Sequence, residues 1–230
     1  MIFGGLQKNS LIDFPGKIAA LVFTQGCNFH CPYCHNLGLI PMKGKDIFHE
    51  EDILLFLEKR RGLLEGLAIT GGEPTLQKDL ANFCEKVKKL GYPVKLDTNG
   101  SRPEVLKEVI SAKLVDYIAM DIKTHPLEYS PGLCTAPMEQ VLESSIRLIL
   151  ESGIDHEFRT TCVYPFITEE KIRRIIPIIK GARTYALQTF SSQSLYKPDF
   201  FTQGGRGLTP EETEIIQKLL APHVGQCVIR

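Results

Sequence analysis

From residue 18 onward, short apolar runs alternate with longer stretches whose apolar positions recur every three or four residues. Residues 18–24 are short and apolar, which predicts a buried strand. Residues 50–60 place Ile53, Leu54, Phe56 and Leu57 on one side of a helix. A second strand is expected at 67–70, then a helix at 76–90 with Leu80, Phe83, Cys84 and Val87 at helical spacing. Further strands are predicted at 94–96, 117–120, 157–163 and 185–189. The helices between and after them start at Pro103 and cover 138–150, 169–179 and 211–220. Pro103 suits a first helical turn, where its missing N–H has no partner to lose.

Six strand–helix units in strict alternation imply a parallel sheet. A closed eight-unit barrel takes about 250 residues. This chain has 230, and part of them go to a lead (1–17) and a long loop (26–49). The expected fold is α/β: an incomplete (β/α)6 TIM-like barrel of parallel strands, open on one side. No linker, repeat or low-complexity tract interrupts it, so one domain is expected over 1–230.

In parallel α/β folds the active site lies at the C-terminal ends of the strands. The first such end carries Cys27, Cys31 and Cys34 in the run Gly26-Cys27-Asn28-Phe29-His30-Cys31-Pro32-Tyr33-Cys34-His35-Asn36. Three thiolates at this spacing can converge on one metal centre. They supply one ligand fewer than a closed tetrahedral zinc site or a four-iron cluster needs, which leaves a coordination position open. A Cys₃His structural zinc site, with His30 or His35 as fourth ligand, is the competing reading.

The other strand ends carry further polar groups. Gly71-Gly72-Glu73-Pro74 follows the second strand. Its glycines allow close backbone approach to a ligand, and its carboxylate can accept from an ammonium group. It could equally be a turn with an acid at a helix start. Asp97-Thr98-Asn99-Gly100 follows the third strand and reads alternatively as a turn and cap. Asp121 and Lys123 lie two apart and so point the same way. Arg159 is unusual in a buried strand and needs a partner: a ligand carboxylate, a ribose, or Asp121 itself. Cys84 and Cys162 read as core, and Cys134 and Cys227 suggest no role.

Composition narrows the function classes. Lys plus Arg and Asp plus Glu both number 27, so the formal charge is zero and neither a nucleic-acid nor a membrane role is expected. Seven cysteines, an odd number, do not form the dense even framework of a secreted domain. No signal-like start or membrane-length apolar run is seen, so a reducing cytoplasm is the expected location.

Taken together, these motifs resemble the radical S-adenosylmethionine (SAM) superfamily over most of the chain. That resemblance implies that Cys27, Cys31 and Cys34 ligate one [4Fe-4S] cluster, with SAM on the fourth iron. It implies that Tyr33 lies beside the adenine and that Gly71, Gly72, Glu73 and Pro74 receive the methionine ammonium. Within the superfamily, Cys34-His35-Asn36, Asp97-Thr98-Asn99-Gly100 and Asp121-x-Lys123 are similar to pyruvate formate-lyase activating enzyme. The similarity implies that Lys123 faces the SAM carboxylate and that Asp97, Thr98 and Asp121 surround a monovalent cation. A histidine found near the sixth strand there is replaced here by Gln188-Thr189-Phe190-Ser191.

The opening from Phe3 to Lys17 resembles the activating protein of anaerobic ribonucleoside-triphosphate reductase. The implied activity is reductive cleavage of SAM to a 5′-deoxyadenosyl radical, which generates a glycyl radical on a partner enzyme. The implied partners are that glycyl radical enzyme and a flavodoxin or ferredoxin electron donor. The Pro- and Gly-containing loop from Thr124 to Pro137 is the expected docking edge. The alternatives are activation of a pyruvate formate-lyase-like enzyme, radical chemistry on a small molecule, and a non-enzymatic zinc or iron–sulfur module.

Overall fold

A computed structural model of the chain describes residues 1–42, 48–191 and 196–230. The expected loop 26–49 therefore includes residues 43–47, which lie outside the described residues. In chain order the elements are β1 (Phe3–Ser10), β2 (Ala19–Thr24), α1 (Glu50–Lys59), β3 (Gly66–Gly71), α2 (Leu80–Lys89), β4 (Val94–Thr98) and α3 (Pro103–Ser111). They continue as β5 (Tyr117–Asp121), α4 (Glu139–Glu151), β6 (Asp155–Thr161), β7 (Val163–Tyr164), α5 (Glu169–Ile179) and β8 (Thr184–Gln188). The last are α6 (Pro198–Thr202), β9 (Arg206–Gly207), α7 (Pro210–Leu220) and β10 (Gln226–Ile229).

All six expected strand–helix units are present. The main sheet has the strand order β1-β2-β3-β4-β5-β6-β8-β10 among the described residues, an open and mostly parallel sheet rather than a closed barrel. Two strands of the main sheet were not expected. The lead folds as β1, which pairs antiparallel with β2, so the sheet is not wholly parallel. Its sequence, FGGLQKNS, lacks the β-branched, alternating signature of a strand. Pairing with β2 supplies what local propensity does not. At the other end β10 pairs parallel with β8.

The expected helix at 76–90 begins later, at Leu80. It is preceded by a 3₁₀ turn, Pro74–Leu76, capped by the Glu73 side chain, which accepts from the Thr75 N–H.

The chain divides into two compact units. Unit 1 comprises Met1–Asn28, Gly38–Thr98 and Glu104–Ile118. In it β2, β3 and β4 run parallel, and apolar residues from strands and helices (Val22, Ile69, Leu96, Phe83, Leu106) are fully buried. Unit 2 comprises Phe29–Leu37, Asn99–Pro103 and Ala119–Arg230. In it β6, β8 and β10 run parallel, over a core that includes Phe158, Tyr185, Ile172 and Leu220. The small ribbon β7–β9 also belongs to unit 2. Cys84 and Cys162 are buried as expected, and burial pushes their thiols up to about 12 and about 11. No helix among the described residues is long and apolar enough to cross a membrane.

Candidate functional site

Unit 1 carries Cys27, Gly71, Gly72, Glu73, Pro74, Asp97 and Thr98. The chain leaves β2 through Gly26, in the left-handed region at φ 95°. The double-glycine turn packs on that exit: the Gly72 N–H donates to Thr24 O at 2.9 Å and the Glu73 N–H to Gly26 O at 2.7 Å. A Cβ on Gly72 would stand 2.1 Å from the Gly26 carbonyl oxygen. The close approach that these glycines permit is thus to the chain itself, one residue before Cys27.

Glu73 is fully buried. Its Oε1 accepts from Thr75 N at 3.1 Å, Thr75 Oγ1 at 2.5 Å and Thr98 Oγ1 at 2.7 Å. Thr98 therefore ties the end of β4 to the Gly-Gly-Glu-Pro turn. These donors hold the carboxylate in a fixed orientation.

Asp97 is paired with Lys95, which reaches it from the same face of β4. Lys95 is 2% exposed and its Nζ lies 5.9 Å from the Tyr117 ring centroid. Sequence reasoning passed over Lys95. The signal that could have found it was a lone charge in an apolar run, two residues before Asp97.

Unit 2 carries Cys31, Tyr33, Cys34, Asn99, Asp121, Lys123 and Arg159. Asp121 stands between two cations: Arg159 Nε donates to Oδ1 at 2.8 Å and Lys123 Nζ to Oδ2 at 3.2 Å. Burial alone would raise the Asp121 carboxyl. Arg159 and Lys123 outweigh it and bring the pKa to about 2. Burial likewise works against the Lys123 ammonium, but Asp121 and then Cys31 hold its pKa well above the lysine norm. Asn99 closes a turn on itself, its Oδ1 accepting from Ser101 N at 2.9 Å.

Tyr33 is buried, and burial raises its phenol pKa well above the usual value. Its Oη has no hydrogen-bond partner. The Cys31, Lys123, Tyr129 and Asp121 side chains are close enough to act on it electrostatically. A buried hydroxyl without a partner is costly in the bare protein and marks a place where a ligand acceptor fits.

Cys27, Cys31 and Cys34 form no disulfide; Cys27 and Cys34 are partly exposed and Cys31 is buried. The Cys34 N–H donates to Cys31 O at 3.0 Å, forming the turn that presents both side chains of unit 2. No group of three or more His, Cys, Asp or Glu side chains among the described residues is arranged to hold a single metal ion. The three cysteines lie within one short stretch of the sequence, and Tyr33, whose hydroxyl has no partner, immediately precedes Cys34.

The chain matches the family model described as Radical SAM superfamily over residues 21–177. Three curated proteins show how that similarity extends. A Methanocaldococcus jannaschii protein bearing the name of a glycyl-radical enzyme activating enzyme is 34% identical over 100% of this chain and 95% of its own length. A 7-carboxy-7-deazaguanine synthase of Thermococcus kodakarensis is 30% identical over 75% of this chain and 74% of its own. The pyruvate formate-lyase-activating enzyme of Clostridium pasteurianum is 28% identical over 77% of this chain and 76% of its own. Among solved structures, Streptococcus suis SuiB bound to S-adenosylmethionine superposes with TM-score 0.66 at 14% identity. That match covers 89% of this chain and 48% of SuiB, so the chain spans about half of that protein, and it shows the fold alone.

Proposed function

Because the chain belongs to the radical SAM superfamily, whose enzymes use a [4Fe-4S] cluster and S-adenosylmethionine, we propose that it generates the glycyl radical of a partner enzyme. The observation that carries this reading is the full-length similarity to a protein bearing the name of such an activating enzyme. The preferred partner is an anaerobic ribonucleoside-triphosphate reductase, on the resemblance of the segment from Phe3 to Lys17. A pyruvate formate-lyase-like enzyme is the second candidate, supported by the Clostridium relative. The Thermococcus relative supports the remaining reading, radical chemistry on a small molecule.

In this proposal Cys27, Cys31 and Cys34 hold the cluster. When bound, it supplies one electron for cleavage of the SAM sulfonium carbon–sulfur bond, giving methionine and the deoxyadenosyl radical that takes a hydrogen atom from the partner's glycine. The remaining residues bind and orient. Glu73, fixed by Thr75 and Thr98, receives the ammonium of the amino-acid moiety, with Gly71, Gly72 and Pro74 shaping the turn around it. Lys123 faces the carboxylate, and Asp121 keeps Lys123 charged and holds Arg159 in place. The Tyr33 hydroxyl donates to a nucleoside acceptor, which would relieve its orphaned state. Asn99 sets the turn after β4.

Asp97 and Asp121 each already have an ammonium or guanidinium partner.

The docking loop from Thr124 to Pro137 is anchored by buried Tyr129, Leu133 and Cys134, while Leu127 is 55% exposed. Its exposed positions, Leu127, Pro131, Gly132 and 135–137, are the proposed contacts.

The test is anaerobic reconstitution with iron and sulfide, followed by reductant, SAM and purified anaerobic ribonucleoside-triphosphate reductase. The expected result is a glycyl radical signal on the reductase and 5′-deoxyadenosine in solution. Radical formation on a pyruvate formate-lyase-like enzyme alone would reassign the partner. 5′-Deoxyadenosine formed only with a small substrate would overturn the activase reading.

A further inference from the structure

Within unit 2, five successive ring contacts run from one neighbour of Cys34 to the other. Tyr33 meets Phe166 edge-on at 5.6 Å, and Phe166 stacks on Phe200 at 5.4 Å. Phe200 meets Phe201 at 5.0 Å and an angle of 85°, and Phe201 stacks on Phe190 at 4.9 Å and 9°. Phe190 then stacks against His35 at 6.2 Å and 27°. The chain of rings closes around the Tyr33-Cys34-His35 tripeptide.

We propose that this aromatic loop is a clamp on Cys34. Phe166, Phe190, Phe200 and Phe201 are positioning residues that hold the thiol in ligand geometry before the cluster is assembled, and keep water from the thiolate afterwards. The clamp rests on the cluster-binding role proposed above.

Three independent features support it. The Lys197 N–H donates to Pro32 O at 3.1 Å, which ties the start of α6 directly to the cysteine loop. The β7–β9 ribbon pairs Val163 with Gly207 and Tyr164 with Arg206, holding the segment that bears Phe166 against the chain just after Phe200 and Phe201. The third is steric. Gly205 and Gly207 have no positive φ, so no turn requires glycine there. A Cβ on Gly205 would stand 2.2 Å from the Phe200 ring, and one on Gly207 3.0 Å from the Phe190 ring. Glycine at both positions makes room for the rings.

A cluster of rings serving only stability would be expected inside the core. Phe83 and Phe158 are there, with no exposure. Phe190, Phe200 and Phe201 are half-buried instead. Their offset-stacked and edge-on contacts fix direction as well as distance, which a ligand-bearing loop needs. The apolar shell around a cluster thiolate also sets its solvent access and hence its potential.

The test uses Phe201→Ala, which opens the ring at its middle link, and Phe201→Tyr, which keeps it. Both are made in the full chain. In the reduced apoprotein, N-ethylmaleimide labelling is followed residue by residue by mass spectrometry. Cys34 should label about fivefold faster in Phe201→Ala, as the loop opens locally more often, and at the wild-type rate in Phe201→Tyr. Cys84, buried in unit 1, should stay unlabelled in both. After reconstitution, the cluster potential of Phe201→Ala should shift upward, because added water favours the more highly charged reduced form.

An unchanged Cys34 rate with Cys84 still protected would overturn the clamp. So would labelling of Cys84, which would mean that the rings support general folding. The thiol measurement needs no iron. If the wild type takes up no cluster, the proposed function fails while the clamp is still judged on labelling.

Discussion

Replacing Lys95 by methionine isolates the value of one buried charge. The side chain keeps most of its length and loses the ammonium that pairs with Asp97. Both partners are buried, with side-chain exposures of 2% and 11%. Removing one member of a buried pair leaves an uncompensated charge and costs about 3–5 kcal/mol. For a domain of this size each kcal/mol lowers Tm by about 2–4 °C, so the expected drop is about 6–20 °C. The double variant Lys95→Met/Asp97→Asn should recover more than half of it, because no charge is then stranded. Potassium chloride in place of choline chloride should raise the Tm of Lys95→Met, as an alkali ion fills the vacated role, and leave the wild type unchanged. Differential scanning calorimetry of the apoprotein measures all four quantities. A loss below about 1 kcal/mol, the range of an exposed pair, would refute the reasoning. Equal potassium effects on wild type and variant would refute the assignment of Lys95 as the internal counter-ion.

Three further outcomes are expected. Asp121 titrates at about 2 in the folded chain against an ordinary 3.8, so it contributes about 2 kcal/mol that is present above pH 4 and lost as pH falls toward 2; Asp121→Asn should flatten that part of a stability-versus-pH curve. Tyr33→Phe should leave the apoprotein as stable or about 1 kcal/mol more stable, by removing an unsatisfied buried hydroxyl, yet weaken SAM binding measured by calorimetry on the reconstituted protein. Glu73→Gln should retain the brown cluster spectrum and bind SAM about tenfold more weakly, the loss of one charge-assisted contact; a colourless variant would contradict the role given to Glu73.

The parts legible in the sequence were those set by local spacing. The three cysteines lie within eight residues, so their joint chemistry needs no tertiary knowledge. The Asp121–Arg159 pair was among the partners expected for Arg159, because a guanidinium on a buried strand must be neutralised and Asp121 was the nearest candidate by topology. What stayed hidden depended on contacts distant in sequence. Strand β1 is made by β2, not by its own glycines, Asn9 or Lys8. The helix start at Leu80 follows a separate 3₁₀ turn, Pro74–Leu76, that Glu73 caps and that ends where Gln77 becomes extended. The aromatic clamp joins residues 33 and 35 to Phe166, Phe190, Phe200 and Phe201, which lie outside the periodic segments 169–179 and 185–189.

The charges of the two units argue for the kind of ligand they take. In unit 2, Lys123 and Arg159 both pair with Asp121, and their side chains are only 16% and 13% exposed. In the proposed function Lys123 faces the ligand carboxylate. In unit 1, hydroxyls and a backbone N–H orient Glu73, which in the same proposal receives the ligand ammonium. The two proposed roles describe a ligand bearing both groups, as the amino-acid end of S-adenosylmethionine does. Reversing a single sign separates the two demands. Lys123→Glu should abolish binding of SAM and of methionine alike, but leave 5′-deoxyadenosine, which has no amino-acid end, bound as before. Equal loss of all three would place Lys123 in the scaffold, not at the carboxylate.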